Sequence, residues 1–376
     1  MPISLGNGAS ASPSSHPLPT DGRVHICDLM QQATELDASD LHLKVGRPPV
    51  VRVWGELQVL EDCPPLSSED LESLYNEVTS AEQRAQFDKT LEMDACCARD
   101  GAVRFRVHLA RQRGSLSMSI RRLSATVPAL DDLRLPSICK ELIMRPHGLI
   151  LVTGPAGSGR STTLASMVEY LNERRAVRII TCEDPIEYVY QDKRAFITQR
   201  ELGTDTASSA TAVRAALRQD PDVILISCLR DTDTIEAALT AAETGCLVLS
   251  SLHTTGAVLT LDRLVDIFPP HKQQQIRAGL ANVLEGILSQ MLLPTASGQG
   301  RVAAVEVLLG NQAVRNLIRE GKTQQIPGVI ETAQRLGMRS MDQALIDLYR
   351  RGGATLEAIM ARTTSPERLQ AMAQGR

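Results

Sequence analysis

The chain has 376 residues, enough for about two or three domains of ordinary size and ample to bury a core. Its 40 Lys and Arg stand against 44 Asp and Glu, a formal net charge of −4 that excludes a strongly basic nucleic-acid binder. Eight Cys (Cys27, Cys63, Cys96, Cys97, Cys139, Cys182, Cys228 and Cys246) form no C-x-x-C pair, which argues against a zinc ribbon, a redox motif or a disulfide framework and for reduced thiols. Within the 40 basic residues 34 are Arg and six are Lys.

Residues 1–20 carry neither Lys nor Arg and no apolar core of signal-peptide length; their Ser, Pro and Gly content reads as a disordered tail. A compact α+β module follows over 21–123. His25–Leu36 has helical apolar spacing, Leu41–Val45 and Val50–Trp54 alternate as strands about a Gly46–Pro49 turn, and Ser67–Asp70 opens a helix to about Val78. A second helix is expected over Ser80–Lys89, then strands around Glu92–Cys97, Val103–Ala110 and Ser115–Leu123. Residues 124–136, flanked by Pro128 and Pro136, read as a linker.

From Gly148 onward, continuous apolar runs alternate with helical stretches: Leu149–Val152, Val177–Thr181, Val223–Ile226, Leu247–Leu249 and Ala303–Leu309. That texture predicts an α/β domain over 137–376 with a mainly parallel sheet covered on both faces. Past Asn311 the pattern is helical, broken at Gly321, Gly337 and Gly352–Gly353. No apolar run reaches the roughly 18 residues that span a bilayer, so the expected protein is cytoplasmic with no direct membrane insertion.

Gly154-Pro155-Ala156-Gly157-Ser158-Gly159-Arg160-Ser161-Thr162 follows an apolar strand and precedes a helical stretch. The spacing is that of a phosphate-binding loop with Arg in place of Lys. Its glycines allow backbone N–H groups to curl around a β-phosphate, a helix N-terminus adds its dipole, and Ser161 is a hydroxyl ligand for Mg²⁺. A guanidinium is wider and more planar than an ammonium, so Arg160 lowers the expected nucleotide affinity and lowers hydrolysis further.

Beyond this loop the chain resembles the type IV pilus retraction ATPases (the PilT family) from Ala38 to about Gly353. ASDLHL over 38–43 is similar to the family's opening signature, and TCEDPIE over 181–187 to its acidic box. DPDVILISCLRD over 220–231 resembles the Walker B segment, GCLVLSSLHT over 245–254 the histidine box, and AVRNLIREGK over 313–322 the element that separates retraction from extension ATPases. The resemblance implies a PAS-like N-terminal domain, a RecA-like ATPase domain, ATP and Mg²⁺ as ligands, and a ring of six subunits peripheral to the inner membrane through a pilus platform protein. It also assigns Glu183, Asp184 and Glu187 to ordering Mg²⁺ and water, with Glu183 beside Ser161 at the metal. His253 becomes a γ-phosphate sensor. Arg106, Arg113 and Arg121, which alternate in strand-like contexts, become groups that reach a neighbouring subunit's nucleotide.

Three departures fall within these motifs. Arg160 stands for the loop Lys, Cys228 for the Walker B Glu, and Cys246 for the first His of the histidine box. Ordinary thiols titrate near ~8.5 and do not replace a carboxylate base, whose loss costs about 10²–10⁴ in rate. Two functions follow: a retraction ATPase of weak or lost hydrolysis, or a non-hydrolysing nucleotide-binding subunit that regulates a pilus motor, as a homo-hexamer or in a mixed ring with an intact paralogue. An extension or type II secretion ATPase is disfavoured by AVRNLIREGK and by the lack of a tetracysteine insert.

Overall fold

The computed structural model describes residues 24–53, 56–61, 63–99, 103–123, 126–298, 300–363 and 366–373. The tail expected over 1–20, Trp54 in the second expected strand, and Ser124 and Ala125 in the expected linker lie outside them. The chain divides into two units, residues 1–125 and 126–376.

In the first unit α1 (Ile26–Glu35) buries Ile26, Leu29, Met30 and Ala33, a helical stripe. β1 (Asp40–Lys44), β2 (Val50–Val53) and β3 (Glu56–Val59) form a meander, followed by α2 (Ser68–Val78) and α3 (Ala81–Thr90). Both helices open with capping boxes, Ser67 with Asp70 and Ser80 with Gln83, each cap contributing about 1 kcal/mol. β4 (Glu92–Arg99), β5 (Val103–Gln112) and β6 (Ser115–Leu123) complete a six-stranded antiparallel sheet in the order β3-β2-β1-β6-β5-β4. Leu41, Leu43, Val107, Leu109 and Met118 from one sheet face pack with Leu29, Leu71, Leu74 and Phe87 of the helices. β3 is not among the strands expected from the sequence; it is four residues long and exposed throughout.

The second unit begins with the stretch expected as a linker, which packs onto it: Leu130 is buried in its core and Pro128 O accepts from Ser166 Oγ at 2.7 Å. Its elements are α4 (Ile138–Ile143), β7 (Gly148–Thr153), α5 (Arg160–Asn172), β8 (Arg178–Glu183), β9 (Phe196–Glu201), α6 (Ser209–Ala216), β10 (Val223–Ile226) and α7 (Thr232–Glu243). Next come β11 (Leu247–Leu252), α8 (Ala257–Asp266), α9 (Pro270–Val283), β12 (Leu284–Pro294) and β13 (Arg301–Leu309). Five helices close the chain: α10 (Gln312–Arg319), α11 (Ile326–Thr332), α12 (Met341–Arg350), α13 (Leu356–Met360) and α14 (Pro366–Ala373).

Seven strands form one sheet in the order β13-β12-β7-β11-β10-β8-β9, parallel throughout except for the β12–β13 pair. β7, β10 and β11 are buried at every residue, the reason their sequences are mostly apolar; Ser250 and Ser251 of β11 donate to the Ile226 and Ser227 carbonyls. β12 is the strand that local pattern conceals. Leu284, Ile287, Leu288 and Met291 recur at helical spacing, and β12 follows α9 with no Gly or Pro between. Pairing with β7 on one side and β13 on the other makes it a strand despite that periodicity.

Candidate nucleotide site

Strand order brings the motifs together. β7, β11, β10 and β8 are consecutive parallel neighbours, so the segments leaving their carboxyl ends share one edge of the sheet, where ligands of open α/β sheets bind. Those segments are the Gly-rich loop after β7, His253 after β11, Ser227 and Cys228 after β10, and the acidic box from Glu183 after β8.

The loop's backbone requires its glycines. Gly154, Gly157 and Gly159 have φ of 144°, 76° and 87°. A Cβ on Gly154 would lie 2.1 Å from the Gln290 carbonyl oxygen and 2.6 Å from Ser158 Oγ, so no other residue fits. Pro155 and Ala156 are exposed at the turn, Pro155 O accepting from Ser158 N at 3.2 Å. α5 then presents the unpaired first-turn N–H groups and positive dipole end common to helix starts. Thr153 Oγ1 and Ser158 Oγ are buried with no hydrogen-bond partner. Polar groups stranded in this way beside a glycine cradle fit a site that takes phosphate oxygens.

Arg160 does not extend as a phosphate-binding point charge. Its guanidinium donates to the Gly154 carbonyl and braces the loop from within. Burial pulls its pKa below the ordinary arginine value, Cys228 and Glu187 opposing that shift. Ser161 Oγ donates to Glu187 at 3.1 Å, and Thr162 Oγ1 and Tyr188 Oη are 2.9 Å apart. The acidic box is therefore folded back onto the start of α5.

The other carboxylates are also engaged. Glu183 is buried and accepts from Thr181 Oγ1 at 2.6 Å and from Gln199 Nε2 at 3.0 Å. Asp184 pairs with Arg230 at 3.1 Å, tying the acidic box to the end of the Walker B segment. Among the described residues no group of three or more His, Cys, Asp or Glu is placed to hold a metal ion. Cys228 is buried and lines a cleft of about 270 Å³ with Arg230, Leu252, His253 and Arg263. Burial, then repulsion from Arg160 and Arg230, lowers the His253 pKa below 6.5, which leaves its imidazole neutral at neutral pH.

Gly148 N donates to the Cys246 carbonyl, which places Cys246 at the amino end of β11, about 20 Å along the strand from His253. One expectation needs correction. Arg113 is not on a strand but shares the β5–β6 turn with Gly114, both at positive φ (50° and 78°), the geometry of a two-residue hairpin. Arg106 on β5 and Arg121 on β6 are cross-strand partners. Their like charges are offset within the sheet, Arg106 by Asp94 at 3.3 Å and Arg121 by Asp40 at 2.8 Å.

Several structuring residues escaped the sequence reading. Gln290 on β12 donates to Ser158 O at 2.6 Å and accepts from Thr163 Oγ1 at 3.0 Å. Its neighbour Ser289 accepts from Gly256 N at 2.8 Å, just past the histidine box. Glu306 on β13 accepts from Ala257 N at 2.7 Å, at the start of α8. The only local signal was a Ser-Gln pair inside an apolar run. In α10, Arg315 is not a solvated surface charge: it donates to the Gly310 and Ala281 carbonyls at 2.6 and 2.8 Å and pairs with Glu285 at 2.8 Å.

Comparisons with known proteins identify the family. A family model of type II/IV secretion system proteins matches residues 23–347. The chain is 44% identical over 319 residues to a twitching motility protein of Neisseria gonorrhoeae, covering 85% of each. It is 41% identical over 344 residues to the type IV pilus retraction ATPase PilT of Pseudomonas aeruginosa, covering 92% of this chain and 99% of that one. It superimposes on a crystal structure of the pilus retraction motor PilT with bound ADP at a TM-score of 0.85 and 46% identity, covering 93% of this chain and all of the other. The chain belongs to the type II/IV secretion system protein family, among its pilus retraction ATPases.

Proposed function

We propose that this chain binds ATP through the loop at Gly154–Thr162 and serves as a subunit of a hexameric type IV pilus retraction motor in which its own hydrolysis is weak or lost. One observation carries the reading: the glycine cradle is stereochemically complete, while Arg160 is turned onto the loop's own carbonyl and a buried thiol, Cys228, ends the strand where the family has its catalytic acid. Binding rests on backbone N–H groups and survives the side-chain changes; water activation rests on a carboxylate and does not. Ser161 and Glu187 supply hard oxygen donors of the kind Mg²⁺ takes and would hold it. When bound, that ion would offset the charge of the β- and γ-phosphate oxygens. Glu183 accepts from Thr181 and Gln199 at one oxygen, Oε1, and neutral His253 faces the cleft beside Cys228.

Arg106, Arg113 and Arg121 serve in this reading as the groups a neighbouring subunit's nucleotide meets; the half-exposed Arg106–Asp94 pair is weak enough to exchange, and the Arg121 guanidinium is exposed although its partner Asp40 is largely covered. The ring would sit at the inner membrane through a pilus platform protein; among the described residues no helix is long and apolar enough to cross a membrane. A second reading is favoured by the Arg160 and Cys228 changes themselves: a non-hydrolysing subunit that joins a mixed ring with an intact paralogue. Turnover of Mg·ATP by the wild type and by Arg160→Lys/Cys228→Glu separates the two. Slow wild-type turnover that Glu183→Ala abolishes supports the weak motor. Turnover confined to the double variant supports the regulatory subunit, and failure of the wild type to bind ATP defeats both.

A further inference from the structure

We infer that Gln290 is a positioning residue for the phosphate loop: its carboxamide, reaching across from β12, fixes the loop in its phosphate-binding shape. The argument begins with burial. Gln290 is 2% exposed, and a carboxamide so placed needs both its donor and its acceptor satisfied. Among the described residues, both find their partners in the nucleotide motif. Nε2 donates to the carbonyl of Ser158 inside the loop at 2.6 Å, and Oε1 accepts from Thr163 Oγ1 in the first turn of α5 at 3.0 Å.

The main chain of the same residue sets the other end of the loop. The Gln290 carbonyl oxygen is the atom that leaves no room for a Cβ on Gly154, and Nε2 lies 3.1 Å from the Cβ position of Gly159. One residue therefore touches the loop at its first glycine, near its last glycine, and at the helix it feeds. Strand alternation turns Ser289 the other way, onto Gly256 after the histidine box, so β12 meets two nucleotide motifs from opposite faces. The amide is chemically specific. A carboxylate of the same size accepts from Thr163 but repels the Ser158 carbonyl, and an aliphatic side chain leaves that buried carbonyl unpaired.

This inference rests on the nucleotide reading above, and the test keeps the two apart. Binding of a fluorescent ADP is measured for wild type, Gln290→Leu, Gln290→Glu and Thr163→Val, with competition by pyrophosphate and by adenosine and with thermal melts alongside. Gln290→Leu and Gln290→Glu are expected to lose roughly tenfold or more in ADP and pyrophosphate affinity, and Thr163→Val about threefold, with adenosine competition unchanged. An effect on the adenosine and phosphate ends alike would mark general loosening and overturn the positioning role, as would unchanged pyrophosphate affinity in a folded variant. If Gln290→Leu does not fold, the isosteric Gln290→Glu and Thr163→Val decide by the same criterion. A wild type that binds no ADP overturns the nucleotide reading and this inference with it. Normal wild-type binding matched by every variant overturns this inference alone.

Discussion

The ends of β7 and β10 lie on the same edge of one sheet, two strands apart, and have fared differently. After β7 the loop keeps three glycines at positive φ, a close approach to Gln290 that excludes any Cβ, and a helix start beyond. After β10 stands Cys228, where the proposed function loses its water-polarising acid, and the cation of the loop, Arg160, donates to Gly154 O. The difference teaches that holding a nucleotide and cleaving it draw on separate resources. On the proposed function the first rests on backbone shape, which side-chain changes scarcely touch, and the second on two side chains, both changed here.

Substitutions sharpen that contrast. Gly154→Ala carries the largest expected effect: a Cβ at 2.1 Å from a carbonyl oxygen and a φ of 144° predict a loss of about 3 kcal/mol or more, read by thermal melting, together with loss of ADP binding. Restoring the chemistry with Arg160→Lys/Cys228→Glu should raise turnover about 10²-fold or more while leaving ADP affinity within about threefold. Arg315→Met, which removes one of the two arginines paired with Glu285 and the donor to the Gly310 and Ala281 carbonyls, should cost about 2 kcal/mol in denaturant unfolding without altering nucleotide affinity. The smallest effect is electrostatic. Arg230→Gln removes one of the cations repelling His253, so its imidazole, followed by NMR, should titrate at higher pH than in the wild type. The wild-type His253 accordingly gains its proton at lower pH than an ordinary histidine.

Much of this was legible in the residues because local chemistry and tertiary role coincide. The Gly-rich loop, the continuous apolar strands and the capping boxes at Ser67 and Ser80 are each dictated within a few residues of chain. What stayed hidden depends on partners far away in sequence. β12 has helical periodicity and becomes a strand through pairing with β7 and β13, and Gln290 contacts residues more than a hundred positions earlier. The Arg preference of the chain, 34 against six Lys, offers an ordinary origin for Arg160, yet the guanidinium's turn onto Gly154 makes the exchange consequential.

The central claim, nucleotide held but not cleaved, is tested most directly in a single-turnover experiment. Radiolabelled Mg·ATP is mixed with excess protein, and the bound nucleotide is recovered over time as ATP or ADP. The account predicts bound ATP that persists at least about a hundredfold longer on the wild type than on Arg160→Lys/Cys228→Glu. Conversion to ADP at equal rates on the two proteins would contradict it.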